Sequence, residues 1–412
     1  MMAEVVYRFW KEHGYQMSNI REYERKKEND KNNDFRKKII QHRFRVLYRT
    51  ALVLLLIAGI ALLLYVQMKN RIYTDYQVVS SVERNHAENT TCMNYNGNIL
   101  TYSKDGANCS DVKGTVLWNQ TYEMQAPMVT INKNIVAMAD YNGRTIYIMN
   151  QTGMLGEIET GMPIRSISVS ESGIVAAVLD DASVNAIYLY DTAGETIAYF
   201  KTTMRKSGYP LAVAISDNSE VVAVSYLYAD SGLITSNVAF YNFGSVGQNE
   251  GDRYVSGYSY EDAVVPELGF MNNTTSFAVA DNRLVLYKGK EIPKSNAEVL
   301  LEHEVQSVYY NENYIGLVYM NTDGKSKYAM DIYDTAGKLI HTQLFDLDYT
   351  DIYFNEDCIV IYNDTECAIY NLKGIEKYKG NFKNAITLLM PTKQNYRYTA
   401  VTSDAIKEIE LK

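Results

Sequence analysis

Tyr188-Leu189-Tyr190-Asp191-Thr192-Ala193-Gly194 returns 143 residues later as Asp331-Ile332-Tyr333-Asp334-Thr335-Ala336-Gly337. The same short strand, closing on an aromatic or large apolar residue and a polar turn residue, is echoed elsewhere. It stands at Val116-Leu117-Trp118-Asn119, Tyr147-Ile148-Met149-Asn150 and Ala239-Phe240-Tyr241-Asn242. Further on come Val285-Leu286-Tyr287-Lys288, Ala368-Ile369-Tyr370-Asn371 and a degraded Lys407-Glu408-Ile409-Glu410. The mean step between echoes is about 42 residues, the period of a four-stranded propeller blade. Asp or Asn opens such a turn through its side chain and Gly accepts the positive φ that follows, so these tetrads are hairpin signals rather than chemistry. The fold expected is an all-β propeller of eight four-stranded blades, or seven if the degraded last echo is false.

Most echoes follow a short apolar strand, such as Ile135–Ala139, Ile174–Val178, Val221–Val224, Phe277–Ala280 and Cys358–Ile361, read as buried inner strands. The last blade offers three strands, Ala385–Leu389, Tyr398–Val401 and Ala405–Leu411. Tyr76–Glu83 belongs to no blade of its own. It is therefore predicted to supply the missing outer strand and close the ring, removing both free edges.

Ahead of the repeats, Ala51–Val66 is an unbroken apolar run. Extended back to Leu47 it gives about 20 residues, enough as a helix to cross one hydrocarbon core. Arg36, Lys37, Lys38, Arg43, Arg45 and Arg49 precede it, while only Lys69 and Arg71 follow closely. The positive-inside rule then puts the N-terminus in the cytoplasm and the large domain outside. The organisation expected is a basic cytoplasmic tail at 1–46, largely disordered, a transmembrane signal anchor at 47–66, a linker at 67–75 and an extracytoplasmic propeller at 76–412. The localisation expected is the cell membrane, single-pass.

Charge follows the same division. The whole chain carries 40 Lys/Arg against 49 Asp/Glu. The basic excess lies in the first 50 residues and the body is acidic, which excludes a nucleic-acid role for the large domain. Four cysteines are too few for a disulfide scaffold; Cys92 and Cys109 bracket the first blade and are left open as bridge or free thiols. Cys358 and Cys367 sit in offset adjacent strands, which favours free thiols.

Tyr102–Ser110 (YSKDGANCS), Lys201–Leu211 (KTTMRKSGYPL), Phe240–Glu250 (FYNFGSVGQNE), Val305–Leu317 (VQSVYYNENYIGL), Tyr362–Ala368 (YNDTECA) and Gly374–Gly380 (GIEKYKG) resemble a known family. It is the membrane-anchored family of Gram-positive anaerobes catalogued as domain of unknown function 5711. The resemblance implies a single-pass surface protein with a propeller similar to WD40 or quinoprotein propellers. It implies no activity, so no catalytic residue is carried over.

A search for chemistry finds little. Beyond the apolar run, His86, His303 and His341 are widely separated. Asp346-Leu347-Asp348-Tyr349-Thr350-Asp351 resembles a calcium-binding carboxylate cluster but lacks the glycine turn and distal glutamate, and reads as a solvated loop. The tryptophan docking motif of quinoprotein blades is missing, since only Trp10 and Trp118 occur. No GxSxG elbow, phosphate-cradling loop or CxxC pair is present. No metal, cofactor or catalytic residue is assigned.

Two long connections are left as candidate partner sites. Lys201–Pro210 carries Lys201, Arg205, Lys206 and Tyr209; Phe243–Val265 carries Phe243, Tyr254, Tyr258 and Tyr260. The function expected is a non-catalytic binding or scaffolding module whose partner is an envelope protein, a peptide or a wall glycan. The alternatives are an extracytoplasmic hydrolase or lyase working in the propeller mouth, and a sensor signalling through its cytoplasmic tail.

Overall fold

The computed structural model describes residues 2–69, 71–84, 89–181, 184–202, 208–230, 232–355 and 358–412. The chain forms two compact units, Met1–Arg71 and Ile72–Lys412.

The first unit is a single helix, Met2–Lys69. It contains a stretch long and apolar enough to cross a membrane by length and composition. Every residue from 21 to 63 is exposed, the leucine-rich stretch included. The bounds of the helix take in most of the residues read above as the tail. Lys38 and Asp34 form an exposed i,i+4 pair on it at 2.9 Å.

The second unit is eight four-stranded antiparallel sheets. The fourth, for example, is built from Tyr209–Ile215, Val221–Asp230, Leu233–Asn242 and Tyr254–Glu261. First strands of neighbouring sheets touch one another, so they ring the axis and the fourth strands form the rim. The ring closes as expected. Tyr76–Glu83 pairs with Ala405–Leu411, Tyr76 opposite Leu411 and Glu83 opposite Ala405, as the outermost strand of the eighth blade.

Closure also fixes the tether. Tyr73 is buried, donates its N–H to the Lys377 carbonyl at 2.7 Å and lays its ring 4.7 Å from that of Tyr396. Thr74 donates to the Lys412 carbonyl and Lys412 to that of Asp75, both at 2.8 Å. The end of the segment read as a linker is thus part of the propeller.

Two details differ from expectation. The apolar strands read as buried inner strands are buried but stand second in their blades, one place out from the axis. Ile135–Asp140 is almost wholly buried, while the true first strand beside it, Pro127–Asn132, is half-buried throughout because one edge faces the axis. In the first blade the echo is one strand late. Val116–Thr121 is its outermost strand, and the equivalent of the other echoes is Gly106–Ser110. The turn chemistry makes the identity plain. The Asp111 carboxylate accepts from the N–H groups of Lys113 and Thr115 at 2.9 and 2.8 Å, as Asp191 does from Ala193 and Glu195, both at 2.9 Å. Gly114 and Gly194 supply the positive φ, 79° and 82°.

Blade-to-blade packing provides the core. Each cluster joins apolar residues of adjacent sheets, as where Phe240 and Tyr260 of the fourth meet Tyr287 and Val285 of the fifth. Cys92 and Cys109 lie on the first and third strands of one sheet, with Asn98–Tyr102 between them. Two strand spacings separate them, roughly 9–10 Å, beyond the reach of a disulfide. Cys92, Cys109 and Cys367 are free thiols, and Cys358 is in no disulfide.

Candidate functional site

Each of the first seven blades runs from axis to rim by three hairpins, and the eighth by two before Tyr76–Glu83 completes it. The second hairpin and the link to the next blade therefore share one face, here the connection face. The first and third hairpins share the other, the turn face. This ordering separates the two candidate segments. Lys201–Pro210 joins the third blade to the fourth on the connection face. Phe243–Arg253 is the third hairpin of the fourth blade and lies on the turn face. They do not form one surface.

The second segment is also less irregular than expected. It makes two short 3-10 turns, Gly247–Asn249 and Gly251–Arg253, and then becomes the outermost strand Tyr254–Glu261. Phe243 packs 6.4 Å from Phe200 with the Arg253 guanidinium 5.4 Å from its ring centre. Tyr254 is exposed, edge-on to Tyr241. Tyr258 accepts from the Ser295 N–H at 3.0 Å and donates to the Pro293 carbonyl at 3.3 Å, so it ties the fourth blade to the fifth. Tyr260 is only 6% exposed, its hydroxyl 2.7 Å from that of Tyr287. Burial pushes its phenol up to about 12. Tyr260 is a core residue and presents no surface to a partner, because alternate residues of this strand face the next blade.

Arg205 and Lys206 lie outside the described residues, as does the Lys201 side chain. Tyr209 is described, and it stands in a cluster that no local motif announces. Burial and then the nearby Asp180 carboxylate raise its phenol. Asp180 is bound by Arg165 Nε at 3.1 Å. Arg165 also donates to the Asn142 side chain and holds its guanidinium 5.3 Å from the ring centre of Tyr141, which is 44% exposed. These residues come from the second, third and fourth blades. Arg165 occupies a bulge in its strand, between Ile164 and Ser166, that re-aims the side chain. Beside Tyr209 rises the hairpin of Val221–Asp230 and Leu233–Asn242. It outruns its inner neighbour beyond Leu227 and its outer neighbour before Thr235, and Leu233 and Ile234 are exposed at its end.

Nearer the axis, Glu267 and Asp351 begin the first strands of the fifth and seventh blades. Burial raises both carboxyls above their ordinary range. Tyr309, on the first strand of the sixth blade, lies within electrostatic reach of both, its phenol raised by burial and then by Asp351. Tyr310 crosses over Gly269, where a Cβ would stand 3.3 Å from its hydroxyl.

The aspartates of 346–351 diverge. Asp346 accepts from the Lys327 N–H at 2.8 Å, Asp348 from Tyr328 Oη at 3.0 Å and Asp351 from Tyr362 Oη at 3.4 Å. Among the described residues no group of three His, Cys, Asp or Glu side chains is placed to hold a metal ion.

No curated protein matches the chain. Among solved structures, BamB from Moraxella catarrhalis is 14% identical with a TM-score of 0.48, covering 82% of this chain and 98% of that one. A eukaryotic initiation factor is 14% identical with a TM-score of 0.50, covering 81% and 87%. The Pan2 WD40 domain of Neurospora crassa is 7% identical with a TM-score of 0.42, covering 81% and 95%. At such identities the likeness is one of fold alone. Residues 69–411 match the family of unknown function DUF5711, and since that is most of the chain, the protein belongs to this family.

Proposed function

We propose that the protein is a non-catalytic binding or scaffolding propeller held at the cell membrane by its N-terminal helix, with the N-terminus inside and the propeller outside. Support for the anchor is the helix itself. Its leucine-rich stretch is apolar all round and nothing in its own unit covers it, the condition of a span in lipid. The basic residues before it favour the inside for the tail.

Binding rests on one observation, the Tyr141–Arg165–Asp180–Tyr209 cluster on the connection face. An exposed tyrosine stacked on a fixed arginine, on rigid strand ends beside a projecting hairpin, has the composition of an interface anchor. The partner class is an envelope protein, a peptide or a wall glycan, and the undescribed Arg205 and Lys206 lie in the same connection. Crosslinking on intact cells with full-length protein tagged at Lys412 identifies the partner. Tyr141→Ala should weaken capture by about tenfold or more, with the melting temperature essentially unchanged. Arg205→Ala and Tyr254→Ala probe the two faces separately, and only the first should matter. Full capture by Tyr141→Ala and Arg205→Ala, with loss in Tyr254→Ala, would move the interface to the other face.

Glu267 and Asp351 favour a second reading, a hydrolase or lyase in the propeller mouth. Desolvated carboxyls near a tyrosine are the groups such chemistry uses as acid or base. It requires turnover of an ester, glycoside or peptide by the purified protein that Glu267→Gln and Asp351→Asn both abolish. Turnover untouched by either variant, or none at all, removes this reading.

A further inference from the structure

We infer that the turn-face rim of the propeller is a lipid-seating surface, an inference that rests on the membrane-anchored reading above. The outermost strand of each blade leaves the turn face and runs toward the connection face. Close to its start, every blade exposes a large apolar side chain. In the first four blades these are Val116, Met154, Ile197 and Tyr254; in the last four they are Ile292, Leu339, Ile375 and Val78. All are between 40% and 61% exposed. Several are doubled by an exposed neighbour, Leu117, Leu155, Ile340 or Val79. At their other ends several of these strands finish on exposed polar residues such as Glu83, Thr121, Glu159 and Glu261; among the described residues Leu300 and Leu344 are exceptions.

Single exposed apolar residues are ordinary on any surface. Their recurrence near the same end of the outermost strand in all eight blades is not, although Tyr199, Leu300 and Leu344 are exposed elsewhere on these strands. The arrangement also discriminates between occupants. A protein partner covers a sector of a propeller, whereas eight separated points around a circumference meet one flat apolar medium together. Tyrosine and aliphatic side chains suit the boundary between headgroups and acyl chains.

The chain itself enters at this rim. Tyr76 starts the closing strand at the turn-face end, opposite Leu411, and Tyr73 is already buried in the propeller. Between Lys69, where the helix ends, and Tyr73 the backbone reaches at most about 14 Å. The rim that carries the apolar residues is therefore the end of the propeller at which the chain arrives from the apolar helix.

Full-length protein in phosphatidylcholine vesicles with brominated acyl chains tests this. Leu155→Trp and Val116→Trp report the rim, Glu159→Trp and Thr121→Trp the opposite ends of the same two strands, each read as the increment over the parent. Quenching at Leu155→Trp and Val116→Trp should exceed that at the partner positions by about twofold or more, as expected for side chains about 5–10 Å into the interface. Equal, weak quenching at all four positions in protein that resists alkaline carbonate extraction would overturn the seating while leaving the anchor standing. Shielding of Leu155→Trp from aqueous acrylamide without bromine quenching would assign the rim to a second copy or another protein, and overturn the lipid assignment. Release by carbonate would remove the anchor on which the inference depends.

Discussion

Deleting Tyr76–Glu83 from the full-length protein, so that Asp75 joins Arg84, is expected to abolish cooperative unfolding of the propeller as one unit. The closing strand pairs with Ala405–Leu411 at seven positions, and Gln77 adds a side-chain bond to Glu410 at 2.8 Å. At a net of about 0.5–1 kcal/mol per strand hydrogen bond, the loss is roughly 4–7 kcal/mol, a large part of the stability of an ordinary domain. Few of the strand's own side chains are buried, so the stabilisation lies in backbone pairing and in holding the eighth blade against the first. Ala405–Leu411 would become a free edge able to recruit other chains. Thermal melts followed by circular dichroism, with light scattering for aggregation, should show an early, broadened transition. A single transition at the parental temperature would mean that the ring holds without its closing strand.

Gly156→Ala is expected to be among the most damaging single methyl groups in the ring. Gly156 lies in the outermost strand of the second blade, Gly153–Glu159, and faces the Asp191–Gly194 turn of the third. A Cβ there would stand 1.8 Å from the Thr192 carbonyl oxygen and 2.8 Å from its carbon. Both are backbone atoms of a turn pinned by the Asp191 side chain, so no rotamer change relieves the clash. Overpacking of this kind costs about 2–4 kcal/mol, a fall of roughly 4–8 °C in melting temperature. Gly161→Ala is the control, since a Cβ there meets nothing within 4 Å, and it should melt with the parent. If both variants melt together, the two blades are not in the close contact described.

The repeat was legible because a turn needs particular chemistry. Asp191, Asp334 and Asn371 accept the same two N–H bonds, and each is followed three residues later by a glycine with φ near 80°. Aromatic strand ends alone are a poorer guide, and in the first blade they point to Val116–Thr121, one strand too far out. Gly106–Ser110 buries only Ala107, Cys109 and Ser110, too small to register as an echo, although Asp111 and Gly114 carry the full signature. The inner and second strands were confused because burial is highest in the strand flanked on both sides, not in the one beside the axis.

The candidate site was legible only in part. Lys201–Pro210 and Phe243–Val265 were found by length and composition, but those properties do not say which face a hairpin leaves from. Nor do they say that Tyr258 and Tyr260 point into the next blade. Tyr141, Arg165, Asp180 and Tyr209 span three blades. Their convergence follows from ring geometry and the bulge at Arg165, and neither leaves a trace at fixed spacing.

Because the outermost strand of the last blade is drawn from the beginning of the chain, the propeller has a built-in order of events. Tyr76–Glu83 is synthesised first and its partner, Ala405–Leu411, last. At about 5–20 residues per second the early strand waits on the order of half a minute for its mate. Seven blades can assemble in that time, yet none of them completes the circle. A chain interrupted anywhere before Ala405–Leu411 keeps two open edges and remains recognisable as unfinished, so the ring cannot close until that strand has been made.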